Sequence, residues 1–310
     1  MQLVYLKALM CVWGIFWNVL IVAAILKDRV LRNSSTFLLL SLHFLACTVD
    51  VGSRLVFDVP SEILNRPLFR LSVNYDDFPT KLFHFTTYTC WFIQLYSLIA
   101  IAASHILAVY GTIYYSRFTQ KKTLLVILLI VLMSMLSVCY LWLDFPIRFY
   151  TEFWGWTEDR DKILVKFFFY LNYVVQGIVF FCLGLTDILI VYKLSTIKEP
   201  IFSQERSMTV APQPEKMQVS VVNSGSTLAP KRSSRVSTEL KVSINFIIVS
   251  MFLLIQTLIY NICTLYDDPV SLFLLFIAPI FRGSKCLAYL VSGSALRNAI
   301  VNLVLCKKKF

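Results

Sequence analysis

Hydrophobic residues gather in seven stretches, 8–26, 36–56, 88–113, 123–143, 164–192, 242–265 and 270–292, and polar or charged residues return between them. About 20 apolar residues cross a bilayer as a helix, which is the fold that satisfies every backbone hydrogen bond within one segment. The pattern therefore predicts an all-α membrane protein, a seven-transmembrane helix bundle forming a single domain over 1–310. Between the last two stretches, Tyr266-Asp267-Asp268-Pro269 predicts a tight turn joining two antiparallel helices. After the seventh, Ser294 to Cys306 alternates small polar and aliphatic residues before Lys307-Lys308-Lys309, the pattern of a short amphipathic helix lying on a membrane surface.

Composition agrees with lipid as the solvent. A chain of 310 residues that is 58% hydrophobic, with mean hydropathy +0.71, is too apolar to present a polar surface to water. The first stretch carries Asn18 and no small-residue cleavage site, so it reads as an uncleaved helix, not as a signal peptide. Charge sets the orientation, because short basic loops stay in the cytoplasm. With the N-terminus extracellular, 18 Lys and Arg fall on the inner side, among them Lys27, Arg117, Lys193 and Lys241, against 9 outside. The expected product is a multi-pass plasma-membrane protein with 294–310 as its cytoplasmic tail. The net charge of +11 sits in the inner loops and tail, so anionic membrane lipid is the expected partner and nucleic acid is not.

One segment departs from this composition. Residues 198–240 collect Pro200, Pro212, Pro214 and Pro230 among Ser, Thr and charged residues, which predicts a disordered third inner loop. Within it Lys231-Arg232-Ser233-Ser234-Arg235-Val236-Ser237 sets hydroxyls beside basic residues, a substrate for basic-directed kinases or a plain solvated loop. The sequon Asn33-Ser34-Ser35 falls on an inner loop and is expected to stay unglycosylated. Eight cysteines lack metal-ligand spacing, so neither a metal nor a cofactor is expected. Cys306 stands where a palmitoyl chain could anchor the tail, or remains a free thiol.

Ionisable groups inside the spans need partners or a use, since each costs on the order of 2.5–3.5 kcal/mol at the bilayer centre. Asp50, Asp187, Arg282 and Lys285 are such groups. At about 1.5 Å per residue, Asp50 stands roughly 21 Å above the inner face and Arg282 roughly 15 Å, a gap that a guanidinium stem closes. An Asp50–Arg282 contact is expected, with Lys285 as second choice. It serves either as a packing lock or as a switch that breaks on activation. Asp187 reads as a carboxylate near interfacial water, and His43 and His105 as hydrogen-bonded packing residues. Trp91, Tyr96, Tyr173, Tyr260 and Asn261 present rings with polar tips in the outer halves of the third, fifth and sixth spans. Such residues suit a pocket for a small organic ligand, and they also form interfacial belts, the reading preferred for Trp154 and Trp156 in the second outer loop.

Local motifs point to a family. Gly14-Ile15-Phe16-Trp17-Asn18 resembles the first-helix Gly-to-Asn pattern of G-protein-coupled receptors, Leu45-Ala46-Cys47-Thr48-Val49-Asp50 their second-helix aspartate motif, and Tyr289 the tyrosine of their seventh helix. Gly111-Thr112-Ile113-Tyr114-Tyr115-Ser116 stands where rhodopsin-like receptors carry Asp-Arg-Tyr, and the sixth span has no Cys-Trp-x-Pro. Leu42-His43-Phe44 with Pro60, Leu254-Ile255-Gln256-Thr257-Leu258-Ile259, and Ser294-Ala295-Leu296-Arg297-Asn298-Ala299-Ile300 are more similar to the nematode serpentine chemoreceptors. That resemblance implies detection of an external small molecule, relay to a heterotrimeric G protein, and a sensory cilium as one compartment. Tyr289 joins Asp50, Arg282 and Lys285 as the expected switch residues. The expected G-protein contacts are Arg117, Lys193 and Lys241. A disulfide from Cys90 to the second outer loop finds no cysteine in 144–163, which leaves Cys139 or Cys263.

The main rival is a transporter using Asp50, Arg282 and Lys285, but the chain shows neither internal repeats nor matching broken helices. A retinal pigment would need Lys285 farther from Tyr289. An intramembrane enzyme would need a catalytic pair such as His-Glu-x-x-His, which no span contains, so no enzymatic activity is expected.

Overall fold

The computed structural model describes residues 2–66, 68, 78–111, 114–115, 118–143, 147–150, 155–158, 163–208, 247, 251, 255 and 294–305. Helix α1, Gln2–Lys27, is about 39 Å long at 1.5 Å per residue and so overspans a bilayer. Asp28 then caps the short α2, Arg29–Arg32, its carboxylate accepting from the amides of Val30 and Leu31. Helix α3, Ser35–Val56, is followed after Phe57 by α4, Asp58–Leu64. Pro60 accounts for the break: its ring opposes the carbonyl four residues back, that of Val56, while its missing N–H costs nothing in the first turn of α4. Asn65 ends α4 in the left-handed region at φ 47°.

Helix α5, Phe78–Tyr110, begins ten residues before the third predicted span and has Pro79 in its first turn. Thr80, His84 and Thr87 depress the hydropathy of this first part, yet all three are buried inside the protein. Helix α6, Gln120–Ser137, continues after a turn at Val138 and Cys139 into α7, Tyr140–Leu143. An antiparallel hairpin follows, β1, Ile147–Tyr150, with β2, Gly155–Glu158, pairing Phe149 with Trp156. It lies within the second predicted outer loop, 144–163. Helix α8, Ile163–Met208, has the hydropathy of a membrane span only over Lys166–Lys193, and reaches eleven residues into the segment expected to be disordered. Ile247, Met251 and Ile255 are helical, spaced as one face of a helix within the sixth predicted span. The remainder of that span and the seventh lie outside the described residues. The chain closes its described part with α9, Ser294–Val304, which buries Leu296, Ala299 and Ile300 and exposes Arg297, Asn298 and Val301.

Five described helical segments are long and apolar enough to cross a membrane. Helices α3 and α5 pack on each other and bury more than half of their span residues, whereas α1, α6 and α8 bury about a third. The centre of the bundle is therefore the α3–α5 pair. Helix α6 shows the inversion expected in lipid: Leu124, Leu125, Leu128, Leu129 and Leu132 are exposed, while Thr123 and Ser134 are buried.

Candidate functional site

Toward the end of the bundle where α1 begins, five charged side chains meet between α1, α3 and α4. Lys7 of α1 forms an ion pair with Glu62 of α4, and both are buried. Arg54 stands between two carboxylates on its own side of the helix, its Nε 3.0 Å from Asp50 and its Nη1 3.4 Å from Asp58. The i, i+4 spacing of Asp50, Arg54 and Asp58 places all three on one face, a signal present in the sequence. Arg54 is thus a described partner of Asp50, while Arg282, Lys285 and Tyr289 lie outside the described residues. Gly52 of α3 faces Ile15 of α1, and with the Lys7–Glu62 pair this register sets Asn18 level with Asp50. Asn18 is fully buried, and among the described residues neither atom of its amide has a hydrogen-bond partner. Below this level His43 Nδ1 meets Ser97 Oγ at 3.0 Å, tying α3 to α5 as a packing residue.

A second set of polar groups lies between α5, α6 and α8. Trp91 donates its indole N–H to Asn172 Oδ1 at 3.1 Å, and Tyr173, the next residue of α8, is half-buried. Tyr96 turns elsewhere: its hydroxyl meets Ser137 Oγ of α6 at 3.0 Å. Because Ser137 already donates to the carbonyl of Met133, Tyr96 is the donor. Tyr96→Phe therefore removes one neutral hydrogen bond and is expected to cost about 0.5–1.5 kcal/mol. Ser137→Ala strands a partly buried phenol and should cost more. Thermal unfolding of the purified variants checks the order, and equal midpoints would show that this bond does not join the two helices. Tyr260 and Asn261 lie outside the described residues. Cys90 and Cys139 are free thiols, and Cys263 is outside.

At the opposite end, hydroxyls join α3 to α5 and α6. Thr36 Oγ1 lies 2.7 Å from Ser104 and 3.2 Å from Tyr115, Thr123 donates to Ser35 at 2.9 Å, and Ser35 to the carbonyl of Phe118. Asn33, in the sequon, accepts from Gln120 at 3.2 Å. Tyr110 donates to the carbonyl of Leu189, and Lys193 Nζ sits 5.6 Å from the centre of its ring, a cation–π contact binding α8 to the end of α5. Of the three cations expected to face a G protein, Lys193 is in this contact, while Arg117 and Lys241 are outside the described residues, as is Cys306. Asp187 is half-buried on α8, and His105 is buried on α5. Among the described residues no group of His, Cys, Asp and Glu is placed to hold a metal ion.

The family model described as serpentine type 7TM GPCR chemoreceptor Srx matches residues 9–218, about two thirds of the chain. The crystal structure of squid rhodopsin superposes with a TM-score of 0.73 at 13% identity, covering 100% of this chain and 87% of the other. At that identity the likeness speaks for the seven-helix fold and for nothing finer. No curated protein matches the chain. The family match spans the buried charges, the α5–α8 contact and the hydroxyl ties described above, and the chain belongs to the Srx family of serpentine seven-transmembrane G-protein-coupled chemoreceptors.

Proposed function

We propose that this receptor binds an external small molecule in the half of the bundle where α1 begins and relays the event to a heterotrimeric G protein at the other end. The observation that carries the reading is the division of labour along α5 and α8. Trp91 and Asn172 meet in one half, and Tyr110 and Lys193 close the two helices together in the other. A ligand that favours one arrangement of these helices shifts the population at both ends. Trp91, Tyr96, Tyr173, Tyr260 and Asn261 are the proposed ligand residues, and Arg117, Lys193 and Lys241 the proposed G-protein contacts. Asp50, Arg282, Lys285 and Tyr289 form the proposed switch, with Cys306 as an acylated anchor. The excess of Lys and Arg in alternate connections supports an extracellular N-terminus and a cytoplasmic tail.

The test is expression in cells carrying a promiscuous G-protein reporter, screened with volatile and water-soluble odorants. At least one compound should give a saturable response that Trp91→Ala weakens and that a G-protein inhibitor removes. A response insensitive to the inhibitor, or an ion flux in its place, counts against the reading.

A further inference from the structure

Gln176 of α8 is 2% exposed, between Val175 and Val179 of the core, and among the described residues neither its amide oxygen nor its amide nitrogen has a hydrogen-bond partner. It lies one turn beyond Asn172, whose oxygen accepts from Trp91 on α5, so the three side chains share the α5–α8 seam. Burying an amide in apolar surroundings with neither atom paired is costly, and folded proteins rarely tolerate it unless a further molecule completes the site. We infer that Gln176, beside Trp91 and Asn172, is the polar anchor for a neutral ligand that carries both a hydrogen-bond donor and an acceptor, of which a primary carboxamide on an apolar body is the simplest form. This rests on the receptor reading above and names its ligand class.

The chemistry of the seam selects against ions. An amide offers one acceptor and two donors, and it pairs completely only with a group that can accept and donate at once. The two polar side chains that meet in this seam, Trp91 and Asn172, are both uncharged. Among the described residues, Lys7 pairs with Glu62, and Arg54 with Asp50 and Asp58, between α1, α3 and α4, while Lys166 stands ten residues before Gln176 on α8, about 15 Å away at 1.5 Å per residue. Asp187 stands eleven residues along α8 from Gln176, about 16 Å away at 1.5 Å per residue. A charged ligand at Gln176 would have to shed its hydration with no counter-charge within a salt-bridge distance among the described residues of the seam.

Four probes of matched shape test the assignment on the full-length receptor in lipid nanodiscs: cyclohexanecarboxamide, cyclohexylammonium, cyclohexanecarboxylate and methylcyclohexane. Thermal unfolding is followed for wild type, Gln176→Met and Gln176→Leu. The carboxamide at millimolar concentration should raise the wild-type midpoint by a few degrees and the other three should not. Both variants should lose that shift, and without probe they should unfold at or above the wild-type midpoint, because an unpaired buried amide has been removed. An equal shift with the ammonium or the carboxylate, a carboxamide shift that survives in both variants, or no shift with any probe overturns the ligand class. So does a fall of both variants below wild type, which is the result expected if the amide is paired within the fold through a bound water. The reporter assay reads the receptor function separately: a response to a charged odorant without a carboxamide shift sinks the ligand class and leaves the receptor standing. Silence across the odorant panel sinks the receptor reading and this inference with it.

Discussion

Glu62→Ala should destabilise the receptor by about 3–5 kcal/mol, the cost of leaving one member of a buried ion pair without the other. Lys7 is 7% exposed, so water cannot replace the lost carboxylate. The pair joins α1 to α4 across 55 positions of sequence, and its loss loosens the packing of the first helix. Lys7→Met should cost nearly as much, for it leaves the Glu62 carboxylate buried in turn. The double variant Lys7→Met, Glu62→Leu should return close to wild type, because two apolar side chains carry no desolvation penalty there. Thermal unfolding of these proteins together with the single variant Glu62→Leu closes the cycle and gives the coupling directly. Additive losses in the double variant would falsify the pairing.

Removal of the Arg54 guanidinium should be the second large effect, seen as loss of receptor from the cell surface. Asp50 and Asp58 both face that group, at 3.0 and 3.4 Å, so Arg54→Met strips one cation from two carboxylates at once. Each carboxylate inside a membrane protein carries a desolvation cost on the order of 2.5–3.5 kcal/mol unless it is paired or protonated. Arg54→Lys should recover part of the surface signal, since an ammonium is a point charge and cannot span both acids as a planar fork does. Combining Arg54→Met with Asp50→Asn and Asp58→Asn should recover more. Surface labelling of an N-terminal tag on intact cells measures all three. Normal labelling of Arg54→Met alone would mean that the triad is dispensable for folding.

These two predictions show where the sequence was readable. The Asp50-Arg54-Asp58 ladder follows from helical periodicity, because side chains four apart meet on any helix whatever surrounds it. Arg54 lies one turn from Asp50 on the same helix, far nearer in sequence than Arg282, the partner expected for it. Lys7 with Glu62 had no such local signature. Nor did Trp91 with Asn172, 81 residues apart, or the turning of Tyr96 toward Ser137 of α6. Which way a ring points around a helix depends on the neighbour that helix has, and composition does not record the neighbour. The early start of α5 at Phe78 has a similar origin: Thr80, His84 and Thr87 lower the hydropathy, and burial within protein lets them stay.

By itself the sequence determined the solvent, the helical class and the resemblance to serpentine chemoreceptors. Transfer from water to lipid is a property of each residue summed over a segment, and short motifs are read in place. The tertiary structure alone decided that Lys7 neutralises Glu62, which amide is left open beside Trp91 and Asn172, and which hydroxyls hold the far end together. Those outcomes depend on helix register and rotation, which packing sets between segments that are distant along the chain.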